Sequence, residues 1–414
     1  MKIGQGKYIL IQILLMAVSP ITSFAVSLRY YKSVVSQVFF VVFSFYFGYY
    51  YAFGYDIMNH YEDMMEYFVD RPLGDILDDF RVFIAGFDAY HVTFKYVLSR
   101  FDASMHLFGG MAAAIYALFF VLFMRQFKQF YSGRMPLLCT ILFITIAMLV
   151  EFYWYQGLRF WTGAFCFMTF YMKYINTHKM RYLFLSSLAI LFHVNLSVLF
   201  LGAIANYLLE FTKPLVRWIL LGVSFVYRFL EIDLMPFLRA QLPWLFSNRN
   251  EIMEDYIWKN ALEHWEKFRE ESNVVYDNKT GFVCTFMLGF LSYLFLRWKI
   301  KLEPHYKSLF FMFVTMYTIS NFGFVNWVFY DRMFKLAVLL LCSYTFIVSH
   351  IYYCRYRKRA VMLCLIMAIP MLLVVMVPLV QQRAMLLHPE LFFGNFFMDW
   401  DVNTRDYDYI WKSK

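Results

Sequence analysis

The chain has 414 residues, of which 61% are apolar and 16% charged, and its mean hydropathy is +0.52. A soluble fold carries about a quarter charged residues, so this balance excludes a water-soluble globular enzyme, a disordered chain and a secreted disulfide scaffold. A net charge of +9 on so apolar a chain makes the placement of its charges the next question.

A hydrocarbon layer of about 30 Å takes about 20 apolar residues per helix. Stretches of that length run 8–28, 33–54, 106–124, 136–155, 158–176, 214–231, 281–298, 306–325, 333–353 and 360–380. The first follows Lys2 and Lys7 but runs too long for a signal peptide and lacks a small-residue cleavage site, so it is expected to be the first span. The stretch 181–209 is long for one crossing and short for two, and His193 and Asn195 interrupt it. No C-x-x-C or Cys/His ligand spacing occurs, and the six cysteines read as small apolar packing residues.

Charge orders the spans. Six short connections, at 29–32, 125–134, 173–181, 213–217, 297–307 and 355–359, hold 18 basic residues, and the acids at or near them are Glu210 and Glu303. The long segments differ: 55–105 has four basic and ten acidic residues, 231–280 has six and ten, and the tail 381–414 has four and five. Placing the basic connections in the cytoplasm puts the N-terminus, both long loops (55–105 and 232–280) and the tail outside. Connections 173–181 and 213–217 then lie on the same side, so the chain between them must cross an even number of times. The expected fold is all-α: one polytopic integral-membrane domain over 1–414, with about 11–12 spans. It includes a broken helix or helical hairpin near 181–212, turning at His193.

On this topology the outer face gathers Asp56, Asn59, His60, Asp88, His91, Glu151, Arg159, His193, Asn195, Arg228, Asp331 and Arg332. Ionisable groups at membrane depth are costly and usually face a cavity. Arginine forks suit phosphate oxygens, so several on one face suggest an anionic, diphosphate-bearing ligand. Arg159 and Arg332 could instead snorkel, Arg228 and Glu151 could be structural, and Asp331 could simply neutralise Arg332. Segment 250–271 sets Tyr256, Trp258 and Trp265 among acids, as a carbohydrate surface or an interfacial amphipathic helix would. The aromatic tail at 392–400 carries the same ambiguity.

Gln156-Gly157-Leu158-Arg159, a spanning helix, the basic turn Lys179–Arg181 and then Leu191-Phe192-His193-Val194-Asn195-Leu196-Ser197 form an ordered set. With Asp331-Arg332-Met333 and Gly54-Tyr55-Asp56 followed by Tyr61, it resembles the EpsG-like branch of Wzy-type bacterial polysaccharide polymerases, over about residues 30–350. The chain departs from that pattern at Tyr49-Tyr50-Tyr51, where an Arg is expected, at Asp88-Ala89-Tyr90, and at Asn195, where a Ser is usual. The resemblance implies a GT-C-like, inverting, metal-independent glycosyltransferase without cofactors, in the bacterial inner membrane with its active site facing out. It would join polyprenyl-diphosphate-linked oligosaccharide repeat units for capsule, exopolysaccharide or O-antigen. Its partners would be those glycolipids, membrane lipids and a protein regulating chain length, with no nucleic acid.

On that reading Arg159 and Arg332 hold the departing diphosphate. His193 is a base or, preferably, a phosphate or positioning group, and Asp56 or Asp88 is the better base. Arg228, Asn195, Asp88, Asp331, Tyr61, Trp258 and Trp265 are expected to bind substrate. An O-antigen ligase-like transferase would use the same donor with another acceptor. A membrane acyltransferase would not need paired arginines, and a flippase or transporter would carry polar groups along a whole pathway.

Overall fold

The computed structural model describes residues 5–30, 33–50, 55–76, 89–127, 158–230, 285–287, 289–290, 292–293, 304–323 and 327–355. Every regular element among them is helical. They fall into two compact units that meet in sequence at Ala203 and Ile204. Among the described residues two helices are long and apolar enough to cross a bilayer, Met105–Arg125 and Arg332–Ile351.

The first unit begins with a correction. The stretch 8–28, expected as one span, is two helices, α1 (Gln5–Val18) and α2 (Pro20–Arg29). Pro20 lacks the amide hydrogen that would continue α1, and its fixed φ suits the first position of a new helix. The helices fold back on each other. Tyr8 and Tyr30 meet edge-on at 5.5 Å. Gln12 Nε2 donates to Tyr8 Oη at 2.9 Å and Ser27 Oγ at 3.2 Å, while Ser23 donates to Gln12 Oε1 at 2.7 Å. Lys7 and Arg29 therefore share one end of the hairpin, whereas a single span would have put them on opposite faces.

Tyr8 and Ser36 hydroxyls, 2.6 Å apart, tie this hairpin to α3 (Val34–Tyr50). α3 runs antiparallel to α6 (Met105–Arg125): Phe40 stacks on Phe120 near one end, and the His106 ring nitrogen lies 2.7 Å from the Tyr49 carbonyl at the other. Gly48 permits this closeness, since a Cβ there would stand 2.5 Å from both Ala113 Cβ and the Gly109 carbonyl oxygen. α7 (Phe160–Thr177) runs parallel to α6, with Thr169 donating to the Phe119 carbonyl and Asn176 to the Gln126 carbonyl.

The chain then turns at His178, whose φ of 56° caps α7 in the left-handed region, and returns as α8 (Met180–Leu185). The return limb tightens to a 3₁₀ turn at Ser186–Leu191 and breaks at His193. A second 3₁₀ turn, Val194–Leu196, leads into α9 (Ser197–Leu209). Lys173 lies over the Tyr182 ring at one end of the α7–α8 pair, and Phe160 meets the His193 ring at the other. The limb thus runs antiparallel to α7, and the break lies level with the start of α7.

These pairings give the unit two different ends. Lys7, Arg29, Arg125, Lys173, Lys179 and Arg181 mark one. The other carries the starts of α6 and α7, the His193 break, and the helices α4 (Tyr55–Tyr67) and α5 (Ala89–Ser99). Tyr61 and Phe94 pack edge-on against Phe108, and Tyr90 packs against Phe192.

The second unit holds α10 (Pro214–Phe229), α11 (Pro304–Phe322) and α12 (Trp327–Arg355), whose directions follow from a similar logic. Trp218 meets Phe310 and Phe225 meets Tyr317, so α10 and α11 are parallel. Phe310 meets Tyr344 and Tyr317 meets Phe334, so α12 is antiparallel to α11. The helical residues 285–287, 289–290 and 292–293 run against α10, through Phe286 on Phe225 and Tyr293 on Trp218. Near one end, Arg217 donates to the Asn206 carbonyl at 2.9 Å and lies 4.1 Å over Phe311, while Asn206 donates to Ser308.

Candidate functional site

Arg159 is the residue that starts α7, half-buried at the N-terminal end of an 18-residue helix. Leu158 before it is buried at a φ of 34°. A non-glycine residue there stores about 1–3 kcal/mol of strain, a feature that collects at functional sites. The unpaired amides of the first turn and the helix dipole make this end a favourable place for an anion.

His193 faces the same turn. Its backbone is extended, and the Asn195 amide donates to its Nδ1 at 3.1 Å. With the Nδ1 lone pair taken, the neutral ring carries its proton on Nε2 and is a donor there. Asn195 is exposed, and its main-chain N–H is what orients the histidine. Gly163 lets the break lie on α7, because a Cβ there would overlap Leu196 and Phe192.

Helices α4 and α5 bring a second set of groups to this end. His60 and Asp63 share one face of α4, and His91 and Lys95 share one face of α5. The His60 and His91 rings meet edge-on at 4.8 Å. Lys95, buried, donates to Asp63 Oδ2 at 2.9 Å, and His60 Nδ1 stands 3.9 Å from the same oxygen. The His60 ring and the Lys95 ammonium hold the Asp63 carboxyl down to about 2 against the pull of burial.

Both ring nitrogens of His91, and the neighbouring Tyr90 hydroxyl, are buried with no hydrogen-bond partner among the described residues. Burial, and then the charges of Lys95, Arg159, His60 and His193, push the His91 imidazole well below its ordinary value, so it stays neutral. The Tyr90–Phe192 and Phe160–His193 ring contacts put the α5 start, the α7 start and the break beside one another. Donor atoms of His60, Asp63 and His91 lie within 4.8 Å of one another, a set that by type alone could hold a divalent ion. The Lys95 ammonium already supplies a positive charge to that carboxylate.

In the second unit Arg228 is nine-tenths buried. Its Nη1 donates to Asn321 Oδ1 at 3.4 Å, Asn321 donates to Ser224 at 3.1 Å, and the guanidinium lies 4.7 Å over the Tyr330 ring. Expected to bind substrate, Arg228 ties α10, α11 and α12 together. Arg332 is half-buried, two residues beyond Tyr330 in α12. Tyr61 packs on Phe108. Asp88, Glu151, Trp258, Trp265, the segment 250–271 and the aromatic tail lie outside the described residues, as do the side chains of Asp56 and Asp331.

Of the expected site residues, the structure brings together Arg159 and His193. It adds Asp63 and Lys95, which were not expected, and gives His60 and His91 specific neighbours. The readable signal was spacing: His60/Asp63 at i, i+3 and His91/Lys95 at i, i+4 each make one helical face.

No family model, no curated protein and no solved structure matches this chain.

Proposed function

We propose that this protein is a membrane glycosyltransferase that polymerises polyprenyl-diphosphate-linked oligosaccharide repeat units on the outer face of the bacterial cytoplasmic membrane. The observation that carries the reading is that the α7 start with Arg159, the His193 break and the α5 start lie at one end of the first unit, opposite the end marked by the basic connections. Arg159 and the α7 N-terminus, away from the positive, cytoplasm-marking end, suit a lipid-linked diphosphate presented outside. The alternating helix directions within each unit support a multi-pass arrangement.

In the reaction, the hydroxyl oxygen at the non-reducing end of the acceptor unit bonds to the anomeric carbon of the donor and gives up its proton to a base, the role the resemblance leaves to Asp56 or Asp88. The bond from that carbon to the diphosphate oxygen breaks, and its electron pair leaves with the carrier. Arg159, the α7 amides and the His193 Nε2–H stabilise the charge that grows on the diphosphate. The leaving group is already good, so charge stabilisation matters more than general acid catalysis. A single displacement inverts the anomeric centre.

The test is purified protein in vesicles containing lipid-linked repeat units. A ladder of extended chains is expected from the wild type, and a loss of about 10²–10³-fold from Arg159→Ala. Arg332→Ala, measured in parallel, tests the diphosphate role that the family resemblance gives that residue. A single transfer to a core-lipid acceptor would mean a ligase, and movement of glycolipid without extension a flippase.

A further inference from the structure

We propose that His60, Asp63 and His91 hold a zinc-class divalent ion that clamps α4 to α5. The site goes beyond the polymerase reading and does not depend on it. His60 and Asp63 stand one turn apart on one face of α4, and His91 lies in the first turn of α5. One donor atom from each, two imidazole nitrogens and a carboxylate oxygen, lie within 4.8 Å of one another. The His60 and His91 ring centroids are 4.8 Å apart, and His60 Nδ1 is 3.9 Å from Asp63 Oδ2. Zinc bonds of about 2.0–2.2 Å put tetrahedral donors about 3.4 Å apart, so small side-chain rotations close the set around an ion. Asp63, whose side chain is half-exposed, has room to make them.

Proximity alone would not make a site. The second observation is His91 itself, which is nine-tenths buried and has no hydrogen-bond partner at either ring nitrogen among the described residues. A buried polar group in that state calls for an explanation. An ion bonded to one nitrogen supplies it, and accounts for a second imidazole and a carboxylate standing at the same spot. The donor types select the metal. Two imidazoles with one carboxylate suit zinc and its transition-metal neighbours, whereas magnesium and calcium seek oxygen. Three protein ligands leave a fourth position, which water can fill from the exposed side of Asp63.

Lys95 does not close the site. It holds Asp63 Oδ2 at 2.9 Å, and a carboxylate has two oxygens, so Oδ1 can take the ion while Lys95 orients the group. The ammonium's charge opposes that of the ion, so binding is weaker than the same donors would give without it. The clamp has a place in the fold. Tyr61 of α4 and Phe94 of α5 both pack on Phe108, and Tyr90, beside His91, packs at 4.5 Å on Phe192 next to the His193 break. An ion joining α4 to α5 steadies the turn that packs against the break. Its role is structural, and no step of the transfer passes through it.

The experiment uses the full chain, purified without a tag and stripped with a chelator, then titrated with zinc and with cobalt(II). The wild type is expected to bind one equivalent of zinc and to melt at a higher temperature with it. Cobalt is expected to give the visible absorption of a low-coordinate nitrogen and oxygen site. His91→Ala and His60→Ala are each expected to lose both the binding and the melting shift. His91→Cys, which exchanges one donor for another, is expected to keep cobalt and add a sulfur-to-cobalt charge-transfer band, which a histidine that merely packs would not produce. The same band decides the case if the alanine variants fail to fold. A wild type that binds no zinc would overturn the proposal. So would undiminished binding by a folded His91→Ala, or a cobalt spectrum of His91→Cys without the sulfur band. Each of these leaves the polymerase reading standing, because chain extension tests that reading separately.

Discussion

The amide of Asn195 decides what His193 can do. By donating to Nδ1 it fixes the neutral tautomer with hydrogen on Nε2, and an imidazole in that state is a ligand for a phosphate oxygen. His193→Ala should therefore weaken polyprenyl diphosphate binding about 10–100-fold, the worth of a hydrogen bond to a charged group. His193→Gln, which keeps an N–H donor, should recover part of it. Equal binding by wild type and His193→Ala in a titration would contradict this role. The preference for His193 as phosphate ligand was already open to the sequence. The tautomer was not, because it depends on a contact between the ring and a backbone amide two residues on.

Helix geometry holds these groups in register. α7 and the return limb meet at Gly163, with no room for a side chain between them and the residues around the break. Gly163→Val should cost about 1–3 kcal/mol by overpacking, push His193 away from the α7 start and lower turnover. Gly222, in α10, has open space where a Cβ would go, so Gly222→Ala should leave stability within about 0.5 kcal/mol. Thermal melts of the two variants in one detergent would separate these outcomes. The break at His193 was legible before any coordinates, because the basic residues on either side of 181–209 required an even number of crossings. The break at Ser19-Pro20 was equally written in the chain, but an apolar run of spanning length concealed it. Proline read as a helix start would have revealed it. The contacts of Arg228 were not legible for a different reason: its partners Asn321 and Tyr330 are distant in sequence, and only packing brings them to it.

Over the whole chain, the net +9 is a difference between basic short connections and acid-rich long segments. The first unit keeps that division, with the basic connections at one end and His60, His91, His193, Arg159 and Asp63 at the other. The α1–α2 hairpin extends it by returning Lys7 to the side of Arg29. Cysteines introduced at Lys7, Ser33 and Thr212 should all be protected from an impermeant thiol reagent in intact cells, and one at Asp70 should react. Labelling at Thr212 from outside would contradict the paired crossing through His193. The aromatic residues, 50 Phe, 33 Tyr and 10 Trp, are largely packing where they are described. Phe165 alone takes Tyr116 and Phe120 edge-on between α6 and α7. The polymerase reading stands on the site and on the family resemblance together. Its most direct test is the chain-length distribution made by purified protein from polyprenyl-diphosphate-linked repeat units in vesicles. A ladder of polymer that disappears in Arg159→Ala, with the variant still inserted and folded, is the predicted result. Wild-type-like chains from Arg159→Ala, or no chain growth from the wild type, would contradict it.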